Sequence, residues 1–163
     1  MDSLLTLTQS QPILTLEAGE TLIAQGAAGG DLFILEDGQL VVERDGVRIA
    51  TLTRPGSLVG EMSVVLGRAS SATVRAEHGS TVRVIRSARA YLEQNPQLAM
   101  SIAEMMATRL DATSALLVEL TQQHGGKVEQ GLLGRILSAL HMPGEVAMVE
   151  RHDLFGGDDR LRE

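Results

Sequence analysis

The sequence predicts a mainly β domain, a small antiparallel sandwich or barrel with flanking helices, followed by one long C-terminal helix. Three observations carry that expectation. Between Ile13 and Arg86 apolar residues recur in short runs with a period of two, as half-buried strands require. Two Asp-Gly steps, Asp37-Gly38 and Asp45-Gly46, punctuate those runs and supply the positive φ that a tight hairpin demands. From Pro96 to about Gln123 the period lengthens to three or four residues and stays there, about seven helical turns at 3.6 residues each.

Taken in order, residues 1–11 form a brief helical or irregular lead-in anchored by Leu4, Leu5 and Leu7, too short for a stable isolated helix. Pro12 forces extension. Ile13 to Glu17 and Thr21 to Ala24 read as strands around the turn Ala18-Gly19-Glu20, and Gly26 with Ala27-Ala28-Gly29-Gly30 reads as a loop. Leu32 to Leu35, Leu40 to Glu43 and Val47 to Leu52 follow as strands separated by the two Asp-Gly turns. After a special stretch at 56–74, Ala72 to Ala76 and Thr81 to Arg86 alternate as strands about the turn His78-Gly79-Ser80. Val82 and Val84 are placed inward and Arg83 outward, and Ile85 breaks the strict alternation, which implies that both faces of this strand are partly covered; Arg75 and Arg83 are placed on a solvated face in preference to a ligand. Ser87 is placed as a hydroxyl N-cap of a short helix through Gln94. Pro96 then opens the long helix, proline being tolerated in a first turn. Its stripe includes Leu98, Ile102, Met105, Arg109, Leu116 and Leu120.

The stretch from Gly56 to Val74, GSLVGEMSVVLGRASSATV, stands apart from this pattern. A single helical turn, Met62 to Leu66, lies between Gly60 and Gly67, which leaves several backbone N–H groups unpaired and pointing one way. Such a concavity suits an anion. Glu61 at its lip would repel that anion, so its carboxylate is better placed to accept hydrogen bonds from a neutral hydroxyl. Anion cradle beside hydroxyl acceptor is the chemistry of a sugar-phosphate site.

This stretch resembles the phosphate-binding cassette of the cyclic nucleotide-binding domain family. The family pattern is roughly Gly-Glu-apolar-small-apolar, a spacer, then Pro-Arg-small-Ala-Thr-Val. Gly60, Glu61, Met62, Ser63 and Val64 match its first half, and Ala72, Thr73 and Val74 its end. The glycines at 19, 26 and 38 around Leu32-Phe33-Ile34-Leu35 are similar to the opening of the family's jelly roll. The resemblance implies an antiparallel β-roll of the double-stranded β-helix type over residues 1–95, as in catabolite activators and protein kinase A regulatory subunits. It implies a ligand, cyclic AMP or cyclic GMP, and no further cofactor. Glu61 would hold the ribose 2′-hydroxyl, and the amides of residues 60–63 the cyclic phosphate. One departure stands out: the family's arginine falls on Ser70. Arg68, two residues upstream, Ser70 and Ser71 are the candidates to replace it. A neutral hydroxyl donates about half the strength of a charge-assisted bond. In the family a hydroxyl at Ser71 can favour guanine, so base preference stays open. The resemblance also implies that the 96–123 helix relays occupancy and pairs with a second copy as a homodimer, with the lid over the base supplied by that helix or the tail.

Bulk properties narrow the remaining classes. The chain has 163 residues, enough for one core, and is 44% apolar but only 2% aromatic, so Leu, Val, Ile, Ala and Met must fill it. Its 14 basic and 21 acidic residues give 14 − 21 = −7, a poor match to a nucleic-acid backbone. Without cysteine there are no disulfides, thiolate metal sites or cysteine nucleophiles. No signal peptide and no membrane-length apolar run is visible, which fits a cytoplasmic protein. The four histidines share no metal-ligand spacing, and no nucleophile elbow appears, so no catalytic constellation and no metal site are expected. A second amphipathic segment, Lys127 to His141, and a charged tail make up 127–163; five basic residues against seven acidic from His124 onward argue against a DNA-reading domain there. Three readings follow: a sensor of a cyclic nucleotide, a degenerate member serving protein interaction or dimerisation with an unknown protein partner, and a truncated transcription regulator.

Overall fold

A computed structural model describes residues 4–123. Within them a short helix α1 (Leu4–Leu7) precedes β1 (Ile13–Leu16), β2 (Thr21–Ile23), β3 (Leu32–Asp37), β4 (Leu40–Arg44), β5 (Val47–Leu52) and β6 (Leu58–Val59). Then come α2 (Glu61–Leu66), β7 (Thr73–Ala76), β8 (Ser80–Ile85), α3 (Ala88–Gln94) and α4 (Pro96–Gln123). The expected strands and both expected later helices are present, α4 beginning at Pro96 as anticipated and continuing to the last described residue, Gln123. β6, two residues long, is an addition that the Gly56-Ser57 turn signal concealed. The second amphipathic segment and the tail, 127–163, lie outside the described residues. The chain divides into two units, Met1–Leu110 and Asp111–Glu163.

The strands form two four-stranded antiparallel sheets, ordered β1-β8-β3-β6 and β2-β7-β4-β5. This is the antiparallel β-roll with flanking helices and a long C-terminal helix that the sequence predicts. The two sheets face each other across one apolar layer to which Leu16, Leu35, Leu40, Val74, Val82 and Val84 contribute. A second layer lies on the other side of the first sheet. There Leu32, Ile34, Leu58 and Ile85 pack against Leu4, Val64, Ala88, Leu98 and Ile102 of the helices.

At β8 the expectation that both faces are covered holds: Val82 and Val84 lie in the inner layer, while Ile85, on the opposite face, is fully buried beneath the helices. One expectation changes. Arg83 does face outward, but into that helical layer rather than solvent. Its Nη2 donates to Glu36 Oε1 at 2.6 Å and its Nη1 to the Thr8 carbonyl at 3.0 Å, which ties the N-terminal segment to the roll. Ser87 also departs from expectation. Its φ is 48° and its hydroxyl makes no capping bond; instead its N–H donates to Asp31 Oδ1 at 3.0 Å, so Asp31 orders the start of α3 from across the roll.

On the second sheet, Val74 and Ala76 are in the core, and Arg75 and Glu77 point the other way. Arg75 pairs with Glu43 at 2.8 Å and Arg48 with Glu77 at 2.7 Å. Hydrogen bonding and charge from Arg75 hold the Glu43 carboxyl below its ordinary range, and Arg48 does the same to Glu77. No helix among the described residues is long and apolar enough to cross a membrane.

Candidate functional site

α2 is set between two left-handed glycines. Gly60 at its N-cap has φ 92° and Gly67 at its C-cap φ 62°, and no side chain caps its N-terminus. Gly60 is required twice over: a Cβ there would lie 2.6 Å from the Asp31 carbonyl oxygen in addition to the strained φ. The Ser63 hydroxyl donates back to the Gly60 carbonyl at 2.9 Å, and the Arg68 N–H donates to the Ser63 carbonyl at 3.2 Å. The chain is thereby wound into one tight turn whose first-turn amides have no intrahelical partner.

A loop holds the turn from behind. A Cβ on Gly29 would fall inside van der Waals contact with the Cβ and Oγ of Ser63, so the loop backbone rests directly on α2. The same loop pairs with the far end of the cassette, Gly26 N–H donating to the Ser70 carbonyl at 2.8 Å and Ser70 N–H to the Ala27 carbonyl at 2.9 Å.

In front of α2 lies a cavity of about 270 Å³, just below the range for ligand pockets, roughly 300–1,000 Å³. Its apolar wall comes from the second sheet and its neighbours, chiefly Ile23, Val42, Ile49, Leu52 and Val74. Ile49 reaches it through a bulge: Val42 pairs with Ala50 and Glu43 with Arg48, which leaves Ile49 unopposed and 57% exposed at the mouth. Polar groups are few and gathered at one end. Gly60, Glu61, Met62, Ser63, Ser70 and Ser71 all line the cavity, so six of the seven sequence-predicted site residues come together. The Ser70 and Ser71 hydroxyls make no hydrogen bond among the described residues. Arg68 is the exception. It lines a separate hollow with Gly67, Ala69 and Arg89.

Glu61 is only 7% exposed, a burial that an ionised carboxylate tolerates when it is paired. Its partner comes from α4: Arg109 Nη1 donates to Glu61 Oε1 at 2.6 Å, while Nη2 donates to the Leu58 carbonyl at 3.2 Å. Arg109 lines the cavity as well and is the cation among its walls. Sequence reading counted Arg109 within an apolar stripe and missed it as a site residue. The available signal was a guanidinium in a stripe otherwise made of Leu, Ile, Met and Thr.

The family model for the cyclic nucleotide-binding domain matches residues 13–93. The chain is similar to the Thermus thermophilus catabolite activator protein, with 25% identity and a TM-score of 0.61 over 72% of this chain and 59% of that one. It is similar to cAMP-bound PfPKA-R at 26% identity and a TM-score of 0.55, over 67% of this chain and 36% of that one. PKAR CBD2 with Sp-2Cl-cAMPS bound gives 26% identity and a TM-score of 0.53, over 67% and 70%. The chain thus spans little more than a third of PfPKA-R and about three fifths of the catabolite activator. No curated protein matches it significantly. Through residues 13–93, the chain belongs to the cyclic nucleotide-binding domain family.

Proposed function

We propose that this chain is a regulatory, non-catalytic module of the cytoplasm that binds cyclic AMP and relays its occupancy to α4. The observation that carries the proposal is the buried Glu61 carboxylate at the polar end of a small apolar cavity. The apolar wall takes the flat base, and the Glu61 carboxylate accepts from the ribose hydroxyl. The amides of residues 60–63 and the hydroxyls of Ser70 and Ser71 donate to the cyclic phosphate. Two ligands of similar solved structures, named as cAMP and Sp-2Cl-cAMPS, support that ligand class. With neutral hydroxyls in place of a guanidinium, affinity is below that of a site with the full cassette.

The relay follows from the Glu61 partner. Glu61 Oε1 is held by Arg109, and Oε2 accepts no hydrogen bond among the described residues. A ligand hydroxyl donating to Oε2 completes a chain from nucleotide through Glu61 to α4. Beyond Arg109 the helix exposes Leu110, Leu116 and Leu120 at 47%, 59% and 50%, an apolar surface suited to a second copy of the chain. Sedimentation of the full chain tests that homodimer; a monomer at tens of micromolar removes it.

A second reading has one observation in its favour: Ser70 stands where the family pattern has its phosphate-pairing arginine. In that reading the fold is retained for protein interaction and binds no nucleotide. Calorimetry with cyclic AMP and cyclic GMP on the native chain and Glu61→Ala separates the two. Saturable heat lost in the variant supports the sensor, and no heat with either ligand supports the interaction module.

A further inference from the structure

Arg68, displaced from the nucleotide cavity, lies in a hollow of about 570 Å³ on the neighbouring surface. Four glycines, two alanines, Ser63 and Val64 form its walls, and its charged side chains are Arg68 and Arg89, with no carboxylate. Two other cavities among the described residues differ from it in charge. The nucleotide cavity balances Arg109 with Glu61, and a third, on the Leu14–Asp31 side, balances Arg86 with Asp31 and Glu20.

Neither arginine of the hollow has a close partner among the described residues. The Arg68 side chain is exposed and its guanidinium has no ion pair or hydrogen bond among them. Arg89 has only a 3.8 Å contact from its Nε to Glu93, with both side chains 71% exposed, an arrangement worth little. Its Nη1 sits beside Gly67, 3.9 Å from where a Cβ on that residue would be. That brings the Arg89 head to the residue adjoining Arg68. Arg68 and Arg89 thus present two exposed like charges over glycine backbone, in a chain of net charge −7, with no carboxylate lining the hollow to balance them. Attraction of Arg89 to the C-terminal carbonyls of α2 accounts for one of the pair but not for Arg68.

We infer that this hollow is a second binding site, distinct from the nucleotide cavity, in which Arg68 and Arg89 together hold a dianionic phosphate group. Guanidinium forks match phosphate oxygens bidentately. The glycine walls let the rest of a small phosphorylated molecule lie against backbone. The site does not depend on the nucleotide reading, since none of its cations lines that cavity.

The test is a titration of the ¹⁵N-labelled full chain in low-salt buffer, followed by amide and arginine Nε resonances. Inorganic phosphate, glycerol 1-phosphate and succinate are the probes. The expected result is a saturable shift centred on Gly29, Gly67, Ala69 and the two arginine Nε groups with both phosphates. It should weaken at least about tenfold in Arg68→Gln and in Arg89→Gln, the loss of a charge-assisted bond in each, and fade with added sodium chloride. Tighter binding of glycerol 1-phosphate than of inorganic phosphate assigns the site to a phosphorylated molecule, and equal binding assigns it to the free ion. Succinate binding as tightly as phosphate overturns the choice of ligand. Shifts centred on Gly60, Met62 and Ser71, shifts that survive both arginine variants, or no saturation by 20 mM (roughly the weakest useful affinity, ~2.3 kcal/mol) overturn the site itself.

Discussion

Arg109 donates a 2.6 Å hydrogen bond to the Glu61 carboxylate across 48 residues of sequence, joining α4 to the first turn of α2. Only 9% of the Glu61 side chain is exposed against 43% of Arg109, so the carboxylate depends on the pair more than the guanidinium does. Removing the arginine leaves a largely buried charge without its strongest donor. Because Arg109 itself is partly in water, the cost is moderated by solvent screening. Arg109→Gln is expected to lower unfolding free energy by about 1–3 kcal/mol, read from urea midpoints at constant slope. It is also expected to weaken cyclic AMP binding, whereas a Glu93→Gln variant on exposed α3 should change neither.

The contact between the loop and α2 predicts an ordering among glycines. Gly29 is not at positive φ, so only crowding against Ser63 opposes a side chain there. Gly29→Ala should displace the cassette, cost about 1–3 kcal/mol and reduce ligand affinity together with stability. Gly19 has φ 85° with nothing within 4 Å of a Cβ; Gly19→Ala should cost only backbone strain, about 1 kcal/mol, and leave affinity unchanged. Equal effects of the two on nucleotide binding would contradict the role given to the loop.

The charge pairs on the second sheet set a pH dependence. Glu43 and Glu77 have folded-state values depressed by Arg75 and Arg48. A depressed carboxylate releases its proton more readily folded than unfolded, so its stabilising contribution is present above the unfolded-state value. It is lost as pH falls through the folded-state value. Thermal midpoints should therefore decline on acidification below the ordinary carboxylate range. The double variant Glu43→Gln, Glu77→Gln should show a shallower decline, with the difference shrinking in high salt.

How far the chain was legible from sequence depended on whether a residue's role was local. Turn chemistry is local, so Gly19, Gly38, Gly46 and Gly60 marked their turns correctly, all with positive φ. The start of α4 followed from Pro96 and its helical character from the apolar period. Ile85, apolar where the alternation calls for a polar residue, marked the outer face of β8 as covered, but the partners of Arg83 there, Glu36 and Thr8, are distant in sequence and left no local signal. Ser87 looked like a cap because serine commonly is one; the acceptor is Asp31, 56 residues away. At the site, the cassette residues are contiguous and were found together. Arg109 was not, because its partner at position 61 is distant in sequence and its neighbours on the helix are apolar.

The missing cassette arginine offers a gain-of-function prediction. Ser70 lines the cavity where the family pattern places a guanidinium, so Ser70→Arg should tighten cyclic AMP binding. A gain of roughly 1.5–3 kcal/mol is the range for a hydrogen bond to a charged group, about ten- to a hundredfold. No gain, in a variant that keeps the native melting temperature, would mean that the remainder of the cavity is not shaped for the ligand.

The most direct test of the sensor reading is titration calorimetry of the native full chain with cyclic AMP, with Glu61→Ala as the control. The account predicts saturable heat at one ligand per chain that disappears in the control. A folded native chain that gives no heat with cyclic AMP or cyclic GMP at high micromolar concentration would contradict it.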